Sequence, residues 1–368
     1  MGETILLADA YRATQYQVGG HGRRQVGMLK DALKAVADDT PADNYGQGLV
    51  IERFQQKIAD FLGKEAAVFF PSGTMAQQIA LRIWCDRAQN PRVAYHPLCH
   101  LEIHEQDGLR RLHHIEPVLL GSADRLMTMT DLAQLTDSIA CLLVELPQRE
   151  IGGQLPSYGE LADIAAFCHD RGIRFHLDGA RLYETLPYYG RSAAAIAALF
   201  DSVYVSFYKG VGGVAGAMLA GDRGFVAEAV VWKRRHGGDL ISLYPYILSA
   251  EHSFDRRVGK MGQYWDEARD LAARFNAVDR VSTVPTVPVT NMFHVHIAAS
   301  AALVERALSL TCQKTGVGLS GHVKALGATL ASFEVNIGDQ YEQIPAERLM
   351  AAFSAFADGL AQLQPEAT

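Results

Sequence analysis

Three short stretches of this 368-residue chain carry residue types that belong together chemically. The first, "FFPSGTMAQQIAL", passes from an apolar run into Ser72, Gly73 and Thr74 and then into a helical pattern. Such a turn offers hydroxyls, backbone N–H groups and the positive end of a helix dipole, which together suit a phosphate. The same residues also make an ordinary N-cap. The second, "RFHLDGARLYE", sets Asp178 at the end of an apolar strand. Ligands bind at that edge of open α/β sheets, and an acid there can hold a proton on a ring nitrogen; it can equally cap the following helix. The third, "SVYVSFYKGVGGVAG", ends a strand near Lys209, ahead of a glycine-rich turn. Partial burial there would lower the lysine's basicity and make it an imine-forming nucleophile. The alternative is a loop lysine that reaches solvent.

A phosphate cradle, a carboxylate and a lysine at strand ends of one sheet are the parts needed to hold pyridoxal phosphate. In that reading the 72–74 turn takes the phosphate and Asp178 keeps the pyridine nitrogen protonated. Lys209 binds the aldehyde carbon until an amino-acid substrate displaces it. Ser206, close before the lysine, is placed to help with the phosphate.

The elements that must position these residues are legible as short apolar runs. "AAVFF" (66–70), "CLLVEL" (141–146), "IRFHLD" (173–178), "SVYVSF" (202–207) and "GAMLAG" (216–221) read as buried strands. Between several of them lie helical patterns such as "TMAQQIALRIWCDRA" and "SYGELADIAAFCHDRG". That alternation predicts an α/β layered domain with a mostly parallel sheet. After about residue 250 the pattern changes. An amphipathic stretch leads into the extended "STVPTVPVTNMFHVHI", then helix, strand ("ATLASFEVNI") and a final helix, as in a smaller α+β domain. The expected organisation is an N-terminal segment over 1–40 without clean periodicity, a large domain over 41–250 and a small C-terminal domain over 251–368. "QVGGHGRRQ" reads as a loop.

Bulk properties exclude other classes. The net charge is −7, and the one short basic run, Lys233–Arg235 in "WKRRHGG", reads as a helix end, so nucleic acid is not an expected partner. Five scattered cysteines without CxxC spacing suggest neither a disulfide framework nor a zinc site, and no metal is expected. No apolar run reaches membrane-spanning length and the N-terminus lacks a signal-peptide pattern, so a cytoplasmic protein without membrane contact is expected.

The three stretches, with "GGQLPSYGELADIAAFCHDRG", resemble the threonine aldolase / β-eliminating lyase family, pyridoxal-phosphate enzymes of the aspartate aminotransferase fold. "DDTPADNYGQGLVIERFQQKIADFLGKEAAV" and "VTNMFHV" are weaker matches. The resemblance implies that fold, with a large, mostly parallel sheet domain and a smaller α+β domain. It implies Asp178 on the pyridine nitrogen, Lys209 as the Schiff-base lysine, Ser72, Gly73 and Thr74 around the phosphate, and Arg181 on the substrate carboxylate. "CHLEIHEQDG" is similar to the family segment whose histidine stacks on the cofactor, which gives His100 that place, a share in proton transfer, and Glu105 as its companion. His96 and His104 are expected to have bland surface roles. A homodimer or homotetramer acting on a small amino acid is implied.

The substrate side departs from the family. "ADAYRATQYQVGG" lacks the usual serine, "NYGQGLV" keeps Tyr45 and Gly46 without the acids, and Leu240 and Ile241 stand near where an Arg-Gln pair is usual. Tyr208 replaces a small residue before the lysine. "LASFEVNIGDQY" offers Glu334 and Asn336 where a second carboxylate-binding arginine is usual; Arg12, Arg23 and Arg24 are the nearby alternatives from the N-terminal segment. The expected reaction is cleavage of the Cα–Cβ bond of a β-hydroxy-α-amino acid to glycine and an aldehyde. β-Elimination, racemisation or transfer on an unusual amino acid, or a silent binding protein of the same fold, are the alternatives.

Overall fold

Five apolar runs and two less apolar segments become the strands of one sheet: β1 (Ala66–Phe70), β2 (Arg92–Tyr95), β3 (Glu116–Leu119), β4 (Cys141–Glu145), β5 (Arg174–Gly179), β6 (Ser202–Ser206) and β7 (Ala217–Gly221). The computed structural model describes residues 6–362, so the outer ends of the expected segments 1–40 and 251–368 lie outside them. The described residues group into two compact units, one formed by 24–261 and the other by those of 1–23 and 262–368.

In the first unit the spatial order of the strands is β1-β7-β6-β5-β4-β2-β3. β7 runs antiparallel to β1 and β6, and every other pairing is parallel. β1 through β6 therefore all end on the same edge of the sheet. β6 and β7 are buried throughout, β4 and β5 at all but one residue. Parallel strands covered on both faces need such continuous apolar runs, which is why the sequence shows them. β2 and β3 are shorter, and β3, at the sheet margin, is half-exposed; neither stands out as an apolar run.

Helices α1 (Leu49–Leu62), α2 (Gly73–Ala88), α3 (Tyr158–Asp170), α4 (Leu182–Tyr189), α5 (Arg223–Arg235) and α6 (Tyr244–Arg257) are the longer helices of the unit. α2 packs across the sheet. Its Trp84 stacks on Phe225 of α5, with ring centroids 4.7 Å apart, and donates its indole N–H to Ser202 Oγ at 2.8 Å. The same hydroxyl meets His176 Nδ1 at 2.7 Å, and His176 Nε2 meets Gln77 Oε1 at 2.6 Å, so the polar groups beneath the sheet satisfy one another. Truncating a fully buried indole such as Trp84 would cost about 3–5 kcal/mol. α3 opens on a capping box, with Ser157 Oγ accepting from Glu160 N–H and Glu160 Oε2 from Ser157 N–H. α5 ends on Lys233, Arg234 and Arg235, the helix end expected of that basic run. The buried carboxylate of Asp43 accepts from Leu243 N–H at 2.8 Å and Tyr244 N–H at 2.7 Å, and so caps α6 from a distant part of the chain.

The second unit holds a four-stranded antiparallel sheet of β8 (Val281–Val284), β9 (Met292–Ile297), β10 (Lys324–Ala325) and β11 (Ala331–Asn336), in the order β10-β11-β9-β8. Helices α7 (Met261–Asn276), α8 (Ala301–Thr315) and α9 (Ala346–Gln362) accompany it. Phe275, Phe293 and Phe333 meet in its core. The stretch at 249–278, amphipathic throughout, breaks into α6 and α7 at a 3-10 turn, Val258–Lys260. The N-terminal segment is more ordered than its sequence suggests. It contains helices Leu7–Ala13 and Gly27–Leu33, and Tyr16–Gln17 pairs with Val317–Gly318. Seven-residue helices are too short to show a period. Among the described residues no helix is long and apolar enough to cross a membrane.

Candidate active site

The residues expected around the cofactor and on the substrate carboxylate lie at one edge of the large sheet. Four same-direction strands deliver them: β1 leads to 72–74, β2 to His100, β5 to Asp178 and Arg181, and β6 to Ser206 and Lys209, and between β2 and β5 the strand β4 ends on Glu145. Ser72 holds the N-cap position of α2, yet its side chain makes no capping bond. Gly73 is required by close approach, because a Cβ there would overlap the Tyr204 hydroxyl of β6. That contact brings the start of α2 to the strand that carries the lysine.

Asp178 is 2% exposed, and its Oδ1 accepts the Ala180 N–H at 3.0 Å. It does not cap α4, whose N-cap is Arg181. Register places Asp178 opposite Glu145 of β4 on one side and Tyr204 of β6 on the other. Burial pushes the Asp178 carboxyl upward, and the neighbouring Lys209 ammonium draws it back down. Burial lowers Lys209 below the ordinary lysine range, reinforced by the Arg181 guanidinium and opposed by Asp178 and Glu145. Lys209 itself is half-buried. Ser206, wholly buried, accepts the Tyr208 N–H at 3.4 Å.

His100 opens the helical turn His100–Ile103. Its Nδ1 lies 3.1 Å from Glu105 Oε1, and Glu105 Oε2 accepts from Gln78 Nε2 of α2 at 2.8 Å. The expected companion of His100 is thus in place, and Gln78 anchors it. Arg181 is 11% exposed, with Nε 3.8 Å from the buried Glu184. Gly210, next to the lysine, must be glycine because a Cβ would overlap the Glu184 carboxylate.

One expectation changes. His96 is buried instead of lying on the surface; its Nε2 sits 2.9 Å from both the Ser122 and Arg125 carbonyls, contacts invisible in local sequence. His104 is exposed as expected, but it pairs with Glu150 at 3.0 Å. The N-terminal arginines also differ from one another. Arg12 pairs with Asp9, and Arg23 donates to the Arg12 carbonyl. Arg24 donates to the carbonyls of Tyr208, Gly213 and Val214, at 3.1, 3.2 and 3.0 Å, and so clamps the lysine loop. Glu334 and Asn336 are engaged within the second unit, Glu334 lying 3.8 Å from His294 Nε2 and Asn336 accepting from Asn291 Nδ2 at 3.3 Å.

Sequence reasoning missed Glu145 and Arg149. Burial, then the Asp178 charge, pushes the Glu145 carboxyl to about 8. Gln148 Nε2 donates to it at 3.3 Å and the Arg149 N–H at 3.4 Å. The signal was available: "CLLVELPQRE" has an acid at a strand end and an arginine four residues later.

The residue set of this edge meets the comparison with known proteins directly, for the model of the β-eliminating lyase family matches residues 25–300. The chain belongs to the β-eliminating lyase family. Within it, a low specificity L-threonine aldolase of Escherichia coli (strain K12) is 29% identical over 251 residues, covering 67% of this chain and 74% of that protein. A solved structure from Listeria monocytogenes EGD-E, with a provisional L-allo-threonine aldolase assignment, is 56% identical. It covers 96% of this chain and 99% of that one, with a TM-score of 0.95. A serine palmitoyltransferase of Sphingomonas wittichii shares the fold alone, at 16% identity, a TM-score of 0.65, and 92% and 83% coverage of this chain and that one. The fold expected of the lyase family, a mostly parallel sheet domain with a smaller α+β unit, is the one observed.

Proposed function

We propose that the protein is a pyridoxal-phosphate-dependent lyase that cleaves the Cα–Cβ bond of threonine-like β-hydroxy-α-amino acids, giving glycine and an aldehyde. The observation that carries the reading is the convergence of Asp178, Lys209, His100 and the 72–74 turn on one sheet edge. Each matches a requirement of the cofactor. Ser72, Gly73 and Thr74 would hold its phosphate, with a hydroxyl not used for capping and a backbone that no Cβ crowds. Asp178 would hold the ring nitrogen, His100 would cover the ring, and Lys209 would take the aldehyde carbon. When bound, pyridoxal phosphate supplies an electron sink for the pair left on Cα as the bond breaks.

The chain's own residues do the rest. Lys209, stripped of basicity by burial, presents its Nζ unprotonated more readily than a surface lysine. Arg181 holds the substrate carboxylate with its planar fork. If Glu105 accepts the Nδ1 proton of His100, Nε2 is left as an acceptor for the β-hydroxyl proton. Losing that proton pushes electrons toward an aldehyde and opens the Cα–Cβ bond. Similarity to the Escherichia coli and Listeria proteins supports threonine or allo-threonine as the substrate class.

The reading extends to assembly and place. An apolar patch of Tyr45, Leu49, Leu240, Ile241 and Tyr244 is exposed, and Tyr45 N–H bonds the Ile241 carbonyl, which joins the two halves of the patch. It supports a homodimer or homotetramer. The five cysteines are all buried and unpaired, which supports a reducing cytoplasm. Product analysis with threonine and allo-threonine tests the function. Glycine and acetaldehyde in equal amounts are expected; ammonia and a keto acid would refute cleavage in favour of elimination.

A further inference from the structure

One pattern occurs twice at the site, on adjacent strands and in register. β5 carries Asp178 near its end, and Arg181 follows three residues on. β4 ends on Glu145, directly opposite Asp178, and Arg149 follows four residues on, opening the 3-10 turn Arg149–Ile151. In both, an acid near the strand end is followed by a guanidinium in the next turn. The surroundings of the two arginines differ. The Arg181 side chain is 11% exposed, with the buried Glu184 3.8 Å away. The Arg149 side chain is 33% exposed, and Glu150 orients it by accepting from Nη1 at 2.8 Å. Glu150 in turn faces His104, whose ring lies beside that of His100 at 5.1 Å.

Both guanidiniums act on the same lysine. Behind burial, Arg181 and then Arg149 oppose the positive charge of Lys209. Two cations therefore shape the potential where the substrate amine must arrive. An α-amino acid carries its carboxylate one carbon from that amine. An amine seated at Lys209 brings its carboxylate into the field of both arginines.

We propose that Arg149 is a substrate-binding residue that shares the α-carboxylate of the substrate with Arg181. The inference rests on the α-amino-acid reading of the site above, and it supplies the second cation in a chain whose β11 offers Glu334 and Asn336. A planar guanidinium is suited to this task, because it pairs with a carboxylate through parallel N–H bonds that a point charge cannot reproduce.

The test is glycine binding to the cofactor-loaded protein, followed by the absorbance change of the bound cofactor, in wild type, Arg149→Gln and Arg149→Lys. Circular dichroism of each variant confirms its fold. Glycine has an α-carboxylate and no side chain, and its binding requires no carbon–carbon cleavage. Loss of a charge-assisted contact predicts at least about tenfold weaker glycine binding in Arg149→Gln, with partial recovery in Arg149→Lys. Alanine and aspartate should weaken by the same factor, since the α-carboxylate is common to all three. Removing the cation should also move the pH midpoint of cofactor capture by Lys209 upward, with Arg149→Lys leaving it in place. Unchanged glycine binding in Arg149→Gln would overturn the proposal. So would a loss confined to aspartate, which would put Arg149 on a side-chain anion. A wild type that binds glycine yet releases no aldehyde from threonine would refute the lyase reading alone.

Discussion

Glu145 of β4 stands opposite Asp178 of β5, so two carboxyl groups finish adjacent strands beside Lys209. Burial pushes both upward. Glu145, with the Asp178 charge added, reaches about 8, whereas Lys209 restrains the rise of Asp178. With its carboxyl at about 8, Glu145 is mostly protonated near neutral pH and so places little negative charge beside Asp178.

Glu145→Gln copies the protonated form. Variant and wild type should agree within about threefold in kcat/KM at pH 7. Above about pH 8 the wild type alone gains the Glu145 charge, which raises the basicity of Lys209. The variant's lysine should therefore lose its proton at lower pH. Parallel pH profiles of cofactor capture check this, and superimposable profiles from pH 7 to 10 would count against the shared site.

Asp178→Asn keeps an oxygen for the Ala180 N–H but removes the charge. Cofactor binding should survive while kcat/KM falls by about a hundredfold or more. Steady-state kinetics beside an absorbance titration separates the two effects.

His176 links the sheet's pH stability to its core. Burial holds it down to about 3 from an ordinary 6.5, and it sits between Ser202 and Gln77. The unfolded chain takes up this proton first, so stability declines as pH falls from about 6.5 toward 3, by up to about 1.4 kcal/mol per unit. Urea unfolding at pH 6.5 and pH 5 should show about 2 kcal/mol more acid loss in wild type than in His176→Asn. Equal losses would mean the histidine titrates normally.

Arg24→Gln should loosen the lysine loop by removing its three carbonyl contacts. About 1–2 kcal/mol of local stability is at stake, readable as faster amide exchange over 208–214 and about tenfold weaker cofactor binding. Exchange rates identical to wild type would dismiss the clamp.

Much of this site was visible before folding because its residues end apolar strands. "IRFHLD" and "SVYVSF" announce a buried strand each, and Asp178 and Lys209 follow from them. Glu145 carried the same strand-end signal but was masked, because Leu146 extends the apolar run past the acid. Arg24 was hidden by distance, since its partners lie beyond residue 200 and no periodicity links them. His96 was misjudged for the same reason, as the carbonyls that enclose it belong to a loop at 122–125. Residues placed by one element are legible in sequence; residues placed by the meeting of two are not.

Trapping the cofactor tests the central claim most directly. Pyridoxal phosphate added to the purified protein is reduced with borohydride, and the digested product is mapped by mass spectrometry. A single pyridoxyl label on the Lys209 peptide, absent in Lys209→Ala, is the expected result. Label spread over other lysines, or equal labelling of the Lys209→Ala protein, would contradict the site.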